Sequence, residues 1–520
     1  MKDFNTFAEM EASVAVKTGQ RFVCRERADA EYILQASSYS ALPGDVTFSN
    51  GRVAALVVPQ PANVNLFGVL PNETLDQSSG IQDAIDRVAS LGIGVNNSSI
   101  LYFPAGRYLA KELSIPDRVT IQGSGITATE IRLPNGANTF LMADAKYISN
   151  SPFVAERIEI KDIGLDGNKD NQTESHPIFI LKGYRCSFES VYFSDSSSHA
   201  CLYTELSANG TPTTGGLAEN TWFKCHFDRN NGAGIFGEIG GTNQLADGVI
   251  SECIFNGNCL TTKFGDIYLE RSAGFKILNN QLYLSGYHNI YCASFSRGVI
   301  SGNHCDVHGT SAEAGDDPSC IKIPTFSANG ASVINNNPLF VNHSGAASPV
   351  ALNLGGTTES LSVIGNSVAQ AGSSPNGVVY SLGNLPNAIF NNSYDDSIAI
   401  GDEPLANKEE RTFKGDIGDV ILNDGYYTTA TTAIFYVSID YEKVPTAVTS
   451  DTNGDTFPNA FVIKDKASGA TYGNPSGVSI LATQTSRKSI SLLFSGLPAG
   501  TVGTPLRLEA LLNDVGFTFT

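Results

Sequence analysis

Three short segments place an aromatic residue and a glutamate two positions apart: Tyr203-Thr204-Glu205, Phe236-Gly237-Glu238 and Tyr268-Leu269-Glu270. On a strand, residues two apart share a face, so each segment offers an apolar ring beside a carboxylate. Leu269, between ring and carboxylate, belongs to the opposite, inward face. Aromatic faces cover the apolar faces of sugar rings while carboxylates bind their hydroxyls. Asp266 begins the strand that ends at Glu270 and adds a fourth carboxylate. Tyr291 continues the aromatic series, and Lys322 replaces it one repeat later. Stacked in coils ~4.8 Å apart, such carboxylates fall at the separations glycosidases use, ~5 Å for retention and ~6.5–9.5 Å for inversion. Repulsion between them favours a proton on one, which can then act as general acid. The candidate catalytic pool is Glu205, Glu238, Asp266 and Glu270; the candidate substrate-binding residues are Tyr203, Phe236, Tyr268, Tyr291, His288 and Lys322.

A second chemistry is open at the same place. Elimination from a uronic acid needs a base, a proton donor and cations to neutralise the carboxylate, and Tyr287, His288, Arg271 and Lys322 could supply them. Asp166, Asp170, Asp228, Asp247, Asp316 and Asp317 lie in polar loops, where aspartate ordinarily forms turns. The seven histidines make no HExxH, no GxSxG elbow is present, and the aspartate clusters lack the terminal glutamate of a calcium loop. No metal or cofactor is predicted.

The elements that must position these residues follow from a repeat. KILNNQL (276–282) returns as VISGNHC, SVINNNP, SVIGNSV and AIFNNSY, which predicts a column Asn280, Asn303, Asn336, Asn366 and Asn392. In the same register lie Cys253, Cys225, Ser190 and Asp162, with steps of 23 to 35 residues. Each step is one coil of a solenoid. Identical side chains stacked one strand spacing apart can bond to one another and to the backbone of a bend. A second strand follows in each coil, as in CLYTEL, GIFGEI, DIYLER, NIYCAS, CIKIPT, VALNL and VVYSL, and the even connections favour parallel pairing.

Ahead of the coils, SSGIQDAIDRVASLG carries Ile81, Ile85, Val88 and Leu91 on one stripe, with Ser78 or Ser79 as N-cap, and predicts a helix near 79–92 that caps the open end of the solenoid. That helix, followed by ILYFPAGRYLA and VTIQGSG, resembles the opening of the pectate-lyase-like right-handed parallel β-helix of bacteriophage tailspikes. The N-terminal FNTFAEMEASVAVKTGQRFVCRE is similar to the segment that joins a tailspike depolymerase to the virion. The resemblance covers roughly residues 1 to 400 and implies a homotrimeric spike that binds and cleaves a bacterial surface polysaccharide, attached through its N-terminus to a phage tail or baseplate protein. It also implies a virion protein acting outside the cell.

The expected organisation is all-β: residues 1–62 as connector, 63–400 as a right-handed single-stranded parallel β-helix with its capping helix, 401–418 as linker, and 419–520 as a β-sandwich for trimerisation or carbohydrate binding. Composition agrees with this. A chain of 520 residues with 41% hydrophobic content can bury a large core, and a net charge of -19 repels nucleic acid and anionic membranes. No run approaches a ~20-residue membrane span, and the first residues lack the apolar core of a signal peptide. Nine cysteines without a CxxC pair predict buried free thiols. Endo-glycosidic hydrolysis is the leading expectation, with a lyase on the same fold or a non-catalytic receptor-binding spike as alternatives.

Overall fold

The computed structural model of the chain describes residues 2–14, 17–92, 99–241, 243–313, 316–326, 331–342 and 350–355. It then describes 360–364, 366–371, 378–382, 389–390 and 393–394, and eight strands between 421 and 510. Two compact units result, Met1–Gly401 and Asp402–Thr520.

From Ala62 onward the first unit is a parallel β-helix. One sheet of 21 strands and one of ten carry the coils, and four two-residue strands line a third side. The larger sheet is two adjoining ladders, joined in the strands Glu159–Asp166 and Ser187–Ser194 and split in later coils, as in Thr221–Phe223 and His226–Asp228. Like residues stack inside. Ile250, Ile277, Ile300 and Ile334 continue a column that runs through Ile121, Ile160, Phe188 and Trp222, the last two with rings 5.8 Å apart and parallel within 4°. Phe193, Phe227 and Phe255 form a second column at 5.0 and 4.6 Å.

Between the two ladders each coil turns through one residue in the left-handed region: Asp162, Ser190, Lys224, Glu252, Asn279, Gly302 and Asn336, with φ from 52° to 68°. The following residue points inward, and these residues form the column. It runs Ile163, Val191, Cys225, Cys253, Asn280, Asn303, Asn337 and Asn366. Asp162, Ser190 and Asn336 therefore stand one residue before the expected column, at the bend itself, where asparagine and aspartate tolerate positive φ. Asn392 lies outside the described residues.

Asn303 and Asn337 are satisfied in full. Asn303 Nδ2 donates to Ile277 O at 2.9 Å and to Asn337 Oδ1 at 3.1 Å, while its Oδ1 accepts Asn280 N–H and Nδ2–H at 3.1 and 2.9 Å. The backbone groups freed at the bend are thereby paired in the interior. All nine cysteines are free and buried.

The helix spans Ser78–Ser90 and lays Ile81, Ile85 and Val88, all fully buried, on strands Ser99–Tyr102 and Leu113–Ile115 of one coil and Val119–Gln122 of the next. Gln77 takes the N-cap position without a side-chain bond; the Asp76 carboxylate instead accepts Ser78 N–H at 2.9 Å. Ser78 Oγ is thus released from capping to accept Lys111 N–H at 2.9 Å. Residues 2–56 form a separate five-stranded sheet around Phe22, Tyr32 and Phe48. It is tied to the helix by the buried pair Arg87–Asp45 at 3.3 Å.

In the second unit the eight described strands pair into one antiparallel sheet. A second layer, as in a sandwich, is not among the described pairings. The expected linker 401–418 lies outside the described residues.

Candidate functional site

The outer face of the ten-stranded sheet aligns Leu202, Phe236, Tyr268, Tyr291, Lys322 and Asn353, one per coil. These side chains are part-exposed, whereas Ile235, Ile267 and Ile290 beside them are fully buried. Tyr268 stacks on Phe236 at 4.6 Å and 14°, and Phe264 packs edge-on against both. The faces of Phe236 and Tyr268 are thus spent on each other, so they offer their edges to a ligand. Tyr291 is turned 85° to Tyr268, out of the stack. Burial lifts the Tyr268 hydroxyl to about 12, so it stays a hydrogen-bond donor across neutral pH.

Two of the four predicted carboxylates share this face. Glu238 stands one coil beyond Thr204, whose Oγ1 donates to Glu238 Oε1 at 2.8 Å. Glu270, on the next coil, is exposed and accepts Ile239 N–H at 2.7 Å. Each carboxylate is oriented by a donor from the preceding coil, and strand spacing sets the two ~4.8 Å apart at the backbone.

The other two are elsewhere. Glu205 is buried and accepts Gly241 N–H at 2.9 Å and Asn243 Nδ2–H at 2.5 Å, holding the connection after Glu238. Asp266 is fully buried inside the solenoid, where Gly265, Asp266 and Ile267 are all buried and inward–outward alternation begins only at Ile267. Its Oδ2 accepts Asn289 Nδ2–H at 3.3 Å, and burial pushes its pKa up to about 8. It is a neutral member of a buried polar column.

Tyr203 is also displaced from the face. Its register partner is Gly237, not Phe236, so it points inward, packs on Trp222 and accepts Asn220 Nδ2–H at 2.8 Å. His288 is 1% exposed, with Nδ1 accepting Ser319 N–H at 2.9 Å; burial, and then the charge of Lys322, hold its pKa well below the usual range. It lines Tyr291 from beneath, at 5.1 Å. Lys322 stays on the face, 5.9 Å from the Tyr291 ring, but both oxygens of Asp317 hold its Nζ at 2.9 and 2.8 Å.

Residues not foreseen complete the face. His199 stacks on Phe236 at 3.9 Å, and Phe264 fills the angle between Phe236 and Tyr268. Two of the loop aspartates take structural parts. Asp228 accepts Tyr192 Oη–H and Asn256 Nδ2–H, both at 2.7 Å, on the outer face of the other sheet. Asp247 turns the chain at φ 50°. Among the described residues no three His, Cys, Asp or Glu side chains converge to hold a metal ion.

The coils around this face match a known family. Residues 62–306 fit the family model described as rhamnogalacturonase A/epimerase, pectate lyase-like. The match covers a little under half of the chain and lies within the coils. The tailspike protein of Acinetobacter baumannii phage AM24 matches the whole chain at a TM-score of 0.53 and 10% identity, over 99% of this chain and 95% of that one. That likeness is one of fold. Tailspike protein 2 of the Escherichia coli O157:H7 bacteriophage CAB120 gives 0.49 at 10% identity, over 99% and 73%. The A-module of an Azotobacter vinelandii mannuronan C-5 epimerase gives 0.39 at 16%, over 64% and 99%. No curated protein matches the sequence. The aromatic stack and both open glutamates fall inside the matched stretch.

Proposed function

We propose that this protein is a homotrimeric phage tailspike that binds a bacterial surface polysaccharide and depolymerises it by endo-glycosidic hydrolysis, with its N-terminal sheet on the virion side. The observation that carries the reading is the pairing of Glu238 and Glu270, open on adjacent coils, with the edge of the Phe236–Tyr268 stack. In a bound glycan one carboxyl gives its proton to the glycosidic oxygen. The other attacks the anomeric carbon, and water then releases the glycosyl-enzyme ester with the first carboxylate as base. A separation near the ~4.8 Å strand spacing suits retention, which uses ~5–5.5 Å. The fold likeness to the AM24 tailspike supports the assignment to a spike.

Elimination is the second reading, because Lys322 stands beside Tyr291. It is the weaker one: Asp317 already occupies that cation, and the candidate base His288 is buried with Nδ1 committed. One experiment separates the readings. Polysaccharide treated with the protein should lose viscosity and gain reducing ends without the ultraviolet absorbance of an unsaturated uronic acid, and Glu238→Gln and Glu270→Gln should each abolish this. Ultraviolet-absorbing products would establish a lyase; unchanged viscosity would leave a spike that only binds. Full activity in the double variant would move the site elsewhere.

A further inference from the structure

His199 has no part in the chemistry above, yet the chain is built around its ring. Nδ1 accepts Ala233 N–H at 3.0 Å, so Nδ1 carries no proton. The ring lies flat on Phe236 at 3.9 Å and 17°. Its backbone is pinned as well, since His199 O accepts Ile178 N–H and Ser196 Oγ–H at 3.2 and 2.8 Å. Space for the ring comes from Gly232, where a Cβ would lie 2.5 Å from Nδ1. Such close approach admits only glycine.

We propose that His199 is a specificity-determining residue of the groove, a neutral imidazole whose Nε2–H is a permanent donor to an acceptor oxygen of the bound glycan. The proposal rests on the saccharide reading given above. With Nδ1 bonded as acceptor, the one proton of a neutral imidazole sits on Nε2. Burial supports neutrality by pushing the pKa down to about 4, and no charged group shares in that shift. His199 as a residue is part-exposed, and among the described residues nothing accepts the Nε2 proton. His288 repeats the Nδ1 arrangement near Tyr291 but lies beneath the surface, which leaves His199 as the imidazole a ligand can reach.

The chemical consequence is selective. A fixed N–H cannot accept, so this position favours a sugar group with a free lone pair, such as an acetyl carbonyl, a carboxylate or a hydroxyl acting as acceptor. It disfavours a sugar that lacks an oxygen there.

The test uses the full chain on an array of purified bacterial surface polysaccharides, with titration on the glycan that wild type binds. His199→Asn keeps an acceptor for Ala233 N–H but removes the donor, and should lower affinity about 3- to 10-fold, the range of one neutral hydrogen bond, at an unchanged melting temperature. His199→Gln, whose amide reaches the Nε2 position, should recover most of the loss. It also carries the test should the Asn variant fold poorly. Wild-type affinity in His199→Asn, while Tyr268→Ala abolishes binding, overturns this proposal and leaves the groove intact. Loss in both His199 variants with lowered melting temperatures also overturns it, since the ring would then be only structural. No glycan bound by wild type, or none lost in Tyr268→Ala, overturns the groove reading beneath it.

Discussion

Asp266→Asn separates a buried structural carboxyl from a reacting one. The native group holds its proton up to about pH 8, whereas in the unfolded chain it ionises near 3.8. Between those values the folded state binds the additional proton, so its contribution to stability falls as pH rises, by about 1.4 kcal/mol per pH unit, and levels off above pH 8. At pH 7 the penalty reaches at most ~4 kcal/mol. Asparagine carries no such penalty and supplies an amide N–H to a place where Asn289 Oδ1 and Asp266 Oδ1 both lack partners among the described residues. The variant should therefore match wild type near pH 4 and exceed it increasingly from pH 5 to 8. Urea unfolding of both proteins at pH 4.5, 6, 7 and 8.5 measures the difference; Asp144 and Asp166, whose burial raises each to about 6, titrate alike in both and cancel. Polysaccharide cleavage should be unchanged. Parallel stability profiles would refute the protonated interior carboxyl, and loss of cleavage at undiminished stability would return Asp266 to the catalytic pool.

Removing one rung of the asparagine ladder should be costly. Asn303→Ala strands two donors of Asn280 and the acceptor at Ile277, while Asn337 Oδ1 keeps the backbone N–H of residue 303, and at about 1–3 kcal/mol per orphaned group a loss of at least ~3 kcal/mol is expected in the same urea assay; a loss under ~1 kcal/mol would mean that water or relaxation replaces the ladder. Gly232→Ala should displace the His199 ring and weaken glycan binding about as much as His199→Asn, read by titration, while wild-type affinity would show that the ring has another resting place. Assembly is tested by light scattering. A trimer is expected at micromolar concentration and in high salt, since chains of charge -19 must associate through apolar contacts, and deletion of 415–520 should weaken it; a monomeric intact chain would contradict the spike assignment.

The solenoid was legible because its signal repeats: isoleucines, phenylalanines and asparagines recur at one position per coil, and stacking leaves few other uses for such a pattern. Phe236, Tyr268 and Tyr291 were placed on one face for the same reason. The misread asparagine column and the misread Tyr203 triplet are both slips of one residue. SVINNNP contains three asparagines, and nothing local says whether Asn336 or Asn337 follows the left-handed residue. CLYTEL has apolar residues in both parities, so pairing Tyr203 with Phe236 looked as good as pairing Leu202 with it. On a strand a slip of one residue moves every side chain to the other face. His199 was invisible for a different reason, since its partners Gly232 and Ala233 belong to the next coil and neither residue type advertises an imidazole.

The contrast between Glu205 and Glu238 shows what such a slip costs in function. Both follow an aromatic residue by two positions, and the two triplets read alike. In the fold Thr204, not Glu205, stands opposite Glu238. Thr204 therefore becomes the hydroxyl that orients the Glu238 carboxylate, while Glu205 turns under the Gly241 and Asn243 connection and is sealed by it. A carboxylate engaged by buried donors cannot also meet a sugar, so on the proposed reading the four-carboxylate pool reduces to Glu238 and Glu270. The third carboxyl near this face, Asp317, is held by Lys322 and Asn353, so the proposed reaction has no spare. Replacing either one should remove turnover entirely, where a redundant acidic strip would lose it by degrees.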